Sequence, residues 1–366
     1  MCLKPLHEPG GVLIYGIPAF RLPKTVLDDF EYRHLRLKGI KVRPNTDVGK
    51  ALKIEDLFRD GYKAIFIGTG VWRPNTLHIK GESLGNVHYA INYLQNPDVY
   101  HLGNRVIVIG AGNAAMDVAR TALRKGVRQL TCFSRTPEVA ASQHEFSYAT
   151  LEGVNFEYCK APVEITDEGV IFVDVREDEN GEFIEAPGTE KLYPADSVIV
   201  SISQGPRNRI VSTTKGIDTD RRGLLVTDEE GHTTRPGVFA SGDVVLGAKT
   251  VVQAVAYSKR VAEAMHSYMQ GIPAQGRAAG PTARSGSACR ASAENNGRSV
   301  KAFAFTDLLH TGICGGFISA GSRPHRKRNN CRRSSFPCVC CRWFCTTPAQ
   351  RPAPPAQAAP NREDPS

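Results

Sequence analysis

Five residues, Arg105-Val106-Ile107-Val108-Ile109, form a β-branched run suited to a strand buried on both faces, and they lead without a spacer into Gly110-Ala111-Gly112-Asn113-Ala114-Ala115. Few backbones satisfy that join. A helix is predicted to open at once, because Ala115, Val118, Ala119 and Ala122 fall at i, i+3, i+4 and i+7 on one apolar stripe and Gly126 can stop the helix after Lys125. Gln129 to Phe133 reads as a second strand, closing a β-α-β unit of about 30 residues. Gly110 permits the tight turn, Gly112 lets a diphosphate approach bare backbone, and small Ala115 allows close helix–sheet packing. Ala111, Asn113 and Ala114 complete the turn at a helix N-terminus, whose amides and dipole stabilise an anion. Residues 110–115 are therefore candidate dinucleotide-binding residues.

The end of the second strand bears on which dinucleotide. A carboxylate there would accept hydrogen bonds from a ribose 2′-hydroxyl and repel a 2′-phosphate; this chain has Ser134-Arg135, 24 and 25 residues after Gly110. A hydroxyl and a guanidinium favour NADP(H).

Strands and helices alternate elsewhere too. Tyr62 to Ile67 reads as a buried strand ending in Gly68-Thr69-Gly70, and Ser197 to Ser201 as another. Val170 to Val175 and Phe183-Ile184 flank Asp178-Glu179-Asn180-Gly181, a hairpin signal, since Asn-Gly accepts positive φ. Gly237 to Asp243 reads as a short strand with a Gly-Asp end, and a helix is predicted from about Thr250 to Met269 with Val251, Ala254, Val255, Ala262, Met265 and Met269 inward. The alternation predicts a doubly wound α/β architecture.

Charge and cysteine divide the chain sharply. Residues 1–271 carry 32 Lys and Arg against 33 Asp and Glu, whereas residues 272–366 carry 14 against 4 and seven of the ten cysteines. The overall charge of +9 thus reports the tail and not a basic binding face, which argues against nucleic acid as a partner. From about Gly271 periodic hydrophobicity gives way to Ala, Arg, Ser, Pro and Gly, and residues 272–366 are expected to be a disordered, basic, Cys-containing tail. Cys331, Cys338, Cys340, Cys341 and Cys345 lack the paired C-x2-C spacing of a zinc site, so no metal is assigned. No run reaches the roughly 18–20 apolar residues that span a bilayer and the N-terminus has no signal-peptide apolar region, so a cytoplasmic protein without membrane attachment is expected.

With these pieces placed, residues 6–271 resemble the small chain of NADPH-dependent glutamate synthase and its relatives, including the flavin-binding part of dihydropyrimidine dehydrogenase. The resemblance rests on Leu6-His7-Glu8-Pro9-Gly10-Gly11, Tyr15-Gly16-Ile17-Pro18-Ala19-Phe20-Arg21-Leu22-Pro23-Lys24, Ala64 to Gly70, the Gly110 turn, and Ala240-Ser241-Gly242-Asp243 running on to Val252, all in the family's order. It implies two Rossmann-like dinucleotide-binding domains, the NAD(P) domain inserted in an incomplete FAD domain. Residues 1–100 would form the first part of the FAD domain, 101–204 the NAD(P) domain and 205–271 the second FAD part. It further implies that FAD is approached by Gly10, Gly11, Arg21, Val48, Gly70, Gly242, Asp243, Thr250 and Val251, and the nicotinamide half by Gln204 and Gly205. In that reading Asp243 accepts from ribityl hydroxyls, and the amides at Thr250-Val251 face the flavin edge that gains negative charge on reduction.

There are departures. The family's FAD fingerprint precedes the Leu6 motif, where this chain has five residues; Lys4 stands where the family places a ribose-binding Glu; and Ala141 stands where it places a third basic residue. The resemblance implies an NADPH-dependent flavin oxidoreductase that passes electrons to a glutamate synthase large chain or another acceptor subunit. The alternative is a non-catalytic, truncated NADP(H)-binding remnant. Hydride transfer between cofactors needs no protein acid or base, so no catalytic side chain is assigned, and His7, His34 and His144 read as surface or packing residues.

Overall fold

The computed structural model describes residues 1–178 and 182–271, together with the backbone of Ala302–Ala304. The chain opens with β1 (Cys2–Leu3), α1 (Val12–Tyr15), α2 (Lys24–Phe30), β2 (Val42–Arg43), α3 (Ile54–Arg59) and β3 (Ala64–Ile67). The four residues of β3 are all buried, and Ala-Ile-Phe-Ile shows no polar alternation because both faces are covered. Ile65 and Ile67 pack with Ile54 and Leu57 of α3 on one side. Ala64 and Phe66 pack on the other side, in a cluster that includes Val261 and Met265.

After β4 (Arg73–Pro74) come β5 (Val87–Tyr89), α4 (Ala90–Gln95), β6 (Arg105–Ile109), α5 (Asn113–Arg124), β7 (Gln129–Phe133), α6 (Gln143–Leu151) and β8 (Asn155–Glu157). The antiparallel strands β9 (Lys160–Thr166), β10 (Gly169–Glu177) and β11 (Phe183–Pro194) follow, then β12 (Ser197–Val200) and β13 (Gln204–Gly205). A five-stranded parallel sheet runs β5-β12-β6-β7-β8. Val106 and Val108 face α4 and α5, whereas Ile107 and Ile109 face the antiparallel sheet through Phe172 and Val170, so all four β-branched residues after exposed Arg105 are buried. Residues 115, 118, 119 and 122, the expected apolar stripe of α5, are fully buried, and the chain leaves the helix through Gly126 at φ +102°.

The chain closes the first sheet with α7 (Arg209–Ser212), β14 (Val238–Ala240), α8 (Asp243–Leu246), α9 (Val251–Gln270) and β15 (Ala302–Ala304). That sheet has the order β14-β3-β15-β1-β2, all parallel.

Three expectations change. β5 belongs to the second sheet although it precedes residue 101; its three half-buried residues carry no pattern that separates them from the linker before α4. Val251, expected inward, is 37% exposed, because the first turn of α9 projects past the sheet and contact begins near Ala254, with Ser258, Val261 and Met265 buried. Within the stretch expected to be disordered, Ala302–Ala304 forms a strand, held by backbone pairing to β3 and β1. The remainder of 272–366, including the cysteine cluster, and the hairpin residues Glu179 to Gly181 lie outside the described residues.

Candidate functional site: a dinucleotide crevice

The second sheet reverses its winding between β6 and β12, and open α/β sheets take ligands at the carboxyl ends of such a pair. Gly110 sits at that point with φ +121°, and a Cβ there would lie 2.3 Å from the Ser201 carbonyl oxygen. Only glycine fits. Gly112 is different: it caps α5 in extended conformation, and a Cβ on it would meet no atom of the described residues within 4 Å. The space is left free on the side where the first amides of α5 lack intrahelical partners. Ser201 Oγ, just after β12, is buried and has no hydrogen-bond partner among the described residues. An open approach to bare backbone at a helix N-terminus, beside an unsatisfied hydroxyl, fits a bound dinucleotide. The loop from β7 to α6 is tied to the turn, since Ala141 N donates to the Ala111 carbonyl (3.0 Å) and Ser142 N to Asn113 Oδ1 (2.9 Å).

Ser134 and Arg135 stand at the end of β7, but their side chains have different settings. Ser134 is buried; its Oγ donates to the Glu138 carbonyl (3.3 Å) and accepts from Thr136 N (3.3 Å), shaping its own loop. Arg135 is exposed, with Nη2 donating to the Phe183 carbonyl on β11 at 3.0 Å.

A charged network beneath α5 was not read from the sequence. Arg21 Nη1 donates to Asp117 Oδ2 (2.6 Å), and its Nε lies 2.9 Å from Glu145 Oε1. Arg120 bridges Glu145 and Glu152, Arg124 also reaches Glu152, and both guanidinium groups lie over Phe20. Burial raises the Asp117 pKa to about 6 against the pull of Arg21, while the Arg124 and Arg120 hydrogen bonds hold Glu152 near 2. Arg21, which the resemblance placed near a flavin, thus docks the segment before α2 onto α5 and α6. The signal in the sequence was the charge at Asp117 and Arg120 beside the apolar stripe of α5.

A second set of expected residues lies along the first sheet. Gly70 (φ +66°) and Gly242 (φ +77°) follow the neighbouring strands β3 and β14, and their missing Cβ atoms would meet nothing nearer than Trp72 Nε1 at 3.6 Å and Ala254 Cβ at 3.9 Å. Half-buried Asp243 accepts from Lys249 N at 3.3 Å, and burial raises its pKa. Thr250 caps α9 through a reciprocal pair with Gln253, leaving the first turn exposed beside Val251 and Val252. These open glycines, the carboxylate and the helix N-terminus fit the ribityl and ring portion of a flavin. Gly10 (φ +135°) has a local reason to be glycine, since a Cβ would lie 2.5 Å from Ile14 Cγ1, and Gly11 caps α1 at φ +51°. The Val48 side chain is buried in the core with Ile54 and Leu57. Gln204 and Gly205 pair with Pro74 and Arg73, beside an open cleft of about 770 Å³ lined by Asn75, His78, Tyr89 and Ile202.

Two parallel α/β sheets, one with a glycine turn at its switch point, define a two-dinucleotide oxidoreductase architecture. The pyridine nucleotide-disulphide oxidoreductase family model matches residues 30–271, and the chain belongs to that family. It is 33% identical over 291 residues to the glutamate synthase [NADPH] small chain of Halomonas elongata, covering 72% of this chain and 61% of that one. The NAD-dependent dihydropyrimidine dehydrogenase subunit PreT of Escherichia coli is 33% identical over 271 residues, with the same shares covered. The chain spans 44% of the putative oxidoreductase AegA of Escherichia coli, at 31% identity over 72% of its own length. In fold it is similar to Mycobacterium tuberculosis FprA in complex with NADPH, with TM-score 0.60, 18% identity, and 73% and 77% of the two chains covered. Thioredoxin reductase of T. acidophilum gives TM-score 0.55 at 22% identity, with 72% and 88% covered.

Proposed function

We propose that this chain is an NADPH-dependent flavin oxidoreductase that works as an electron-input subunit, in the manner of the glutamate synthase small chain. The carrying observation is the unobstructed approach to Gly112 at the N-terminus of α5. The α5 amides bind the diphosphate, and Arg135, set by Phe183, attracts the 2′-phosphate. Bound FAD would accept hydride from the nicotinamide and hold the electrons for onward transfer. Gly70, Gly242 and Asp243 would hold it, with Gly10, Gly11, Arg21 and Val48 as the further flavin-side residues implied by the resemblance. The α9 amides at Thr250-Val251 would stabilise negative charge at the ring edge, and Val251 and Val252 would exclude water there. Gln204 and Gly205 would approach the nicotinamide half. Residues 101–204 together with β5 would form the NAD(P) domain, and the rest of 1–100 with 205–271 the FAD domain. The partner is an electron-accepting subunit such as a glutamate synthase large chain, and the compartment is the cytoplasm. No helix among the described residues is long and apolar enough to cross a membrane.

A second reading, a non-catalytic NADP(H)-binding remnant, is favoured by one observation. The place between β1 and β3 belongs to β15, and the residues that follow it, Phe305-Thr306-Asp307-Leu308, contain no glycine for a diphosphate turn. A visible spectrum and calorimetry with NADPH separate the two. Flavin absorbance that bleaches on adding NADPH is expected. A colourless protein that still binds NADPH would establish the second reading, and absence of binding would overturn both.

A further inference from the structure

We propose that Lys160, on β9, is a second ligand of the 2′-phosphate and sets the preference for the phosphorylated nucleotide, a deepening that rests on the NADP(H) reading above. The loop after β7 offers only Arg135 as a cation close to the 2′ position. The antiparallel sheet supplies more. Lys160 N donates to the Ser134 carbonyl at 3.0 Å, which places this residue against the end of β7. Phe172 of β10 stacks on Phe133 with ring centroids 4.0 Å apart, so the face of β10 carrying Phe172, Asp174 and Arg176 is turned toward the same end. Lys160 is the register partner of Asp174, and Lys191 that of Phe172, so both share this face.

Three cations, Lys160, Arg176 and Lys191, surround one carboxylate. Together they hold the Asp174 pKa below its ordinary value, the Lys160 hydrogen bond being the largest cause. The Lys160 ammonium rests on Asp174, yet its side chain keeps 21% of its exposure and that of Asp174 keeps 41%, so the pair is open to solvent. A 2′-phosphate, with nearly two negative charges at neutral pH, competes for the ammonium in a way that a hydroxyl cannot. Lysine suits this place as a point charge with three donors, able to serve Asp174 and a phosphate together. The three-stranded antiparallel sheet then forms the second wall of the 2′ pocket: the Phe183 carbonyl of β11 aims Arg135 and Lys160 of β9 adds the charge.

The test is titration calorimetry of the full chain with NADPH and with NADH. Lys160→Met is expected to weaken NADPH binding about tenfold, leave NADH binding unchanged and flatten the salt dependence of NADPH affinity. Lys160→Arg, which keeps the cation, is expected to retain the preference, and Asp174→Asn to tighten NADPH binding. Equal losses for both nucleotides in a folded Lys160→Met variant, or no loss for either, would overturn the assignment while leaving the nucleotide site standing. An unaltered chain that binds neither nucleotide would overturn the site and this inference together.

Discussion

Gly110 and Gly112 are two residues apart and answer opposite demands. A side chain at 110 meets the Ser201 carbonyl and an unfavourable φ, whereas one at 112 meets only the open space proposed for the nucleotide. Gly110→Ala is therefore expected to destabilise the fold by about 1–3 kcal/mol or more, read by denaturant unfolding. Gly112→Leu should leave the melting temperature nearly unchanged and remove the calorimetric signal with NADPH. Asp196 shows how single carboxylates set the acid limit. It accepts from Asn104 N, Arg105 N and the Arg105 guanidinium, which hold its pKa at about 2. A depressed carboxylate contributes stability above its unfolded value of about 4 and loses it as the pH falls toward 2. Asp196→Asn should flatten the fall in melting temperature between about pH 5 and 2. Asp117 acts in the opposite sense: burial raises its pKa to about 6, so its contribution weakens as the pH rises from about 4 to 6. The turn at 110–115 was legible because each small residue had a steric reason within its own segment. The bonds of Ser134 and Arg135 were not, since one depends on a loop conformation and the other on a carbonyl from β11, 48 residues away.

At the scale of elements, α5 does more than follow the glycine turn. Its apolar stripe follows helical spacing, while Asp117 and Arg120 are buried on a further face that the pattern treats as polar and exposed. Those charges meet partners from α6 and from the segment before α2, which no local periodicity encodes. Arg21→Ala would leave Asp117 buried without its cation and is expected to destabilise by about 2–3 kcal/mol in chemical denaturation. Combining it with Asp117→Asn should recover part of the loss, because the uncompensated charge then disappears. In α9 the sequence pattern located the helix and misplaced the start of its buried face. An apolar residue such as Val251 reads alike whether it faces a sheet or overhangs its edge.

For the whole molecule, the two parallel sheets differ in how they are assembled. The second draws every strand from residues 87–200, whereas the first joins strands from 2–67, 238–240 and 302–304. The second was therefore the readable one, with strand, turn and helix signals in close succession. The strand at Ala302–Ala304 has three residues and lies in a composition that signals no order. Ending the chain after Gly271 is expected to lower the melting temperature relative to a chain ending at Gly315, because β1 and β3 then lose the strand between them. Restored stability in the longer form is the measurement that checks it.

Protein synthesis reads this arrangement in time. All strands of the second sheet have left the ribosome once residue 200 has emerged, and local contacts let such a unit fold early. Cys2–Leu3 must wait for some 300 more residues before its neighbour Ala304 exists. A nascent chain carries an unfinished sheet edge through that interval, and a chaperone that shields exposed strands would act there.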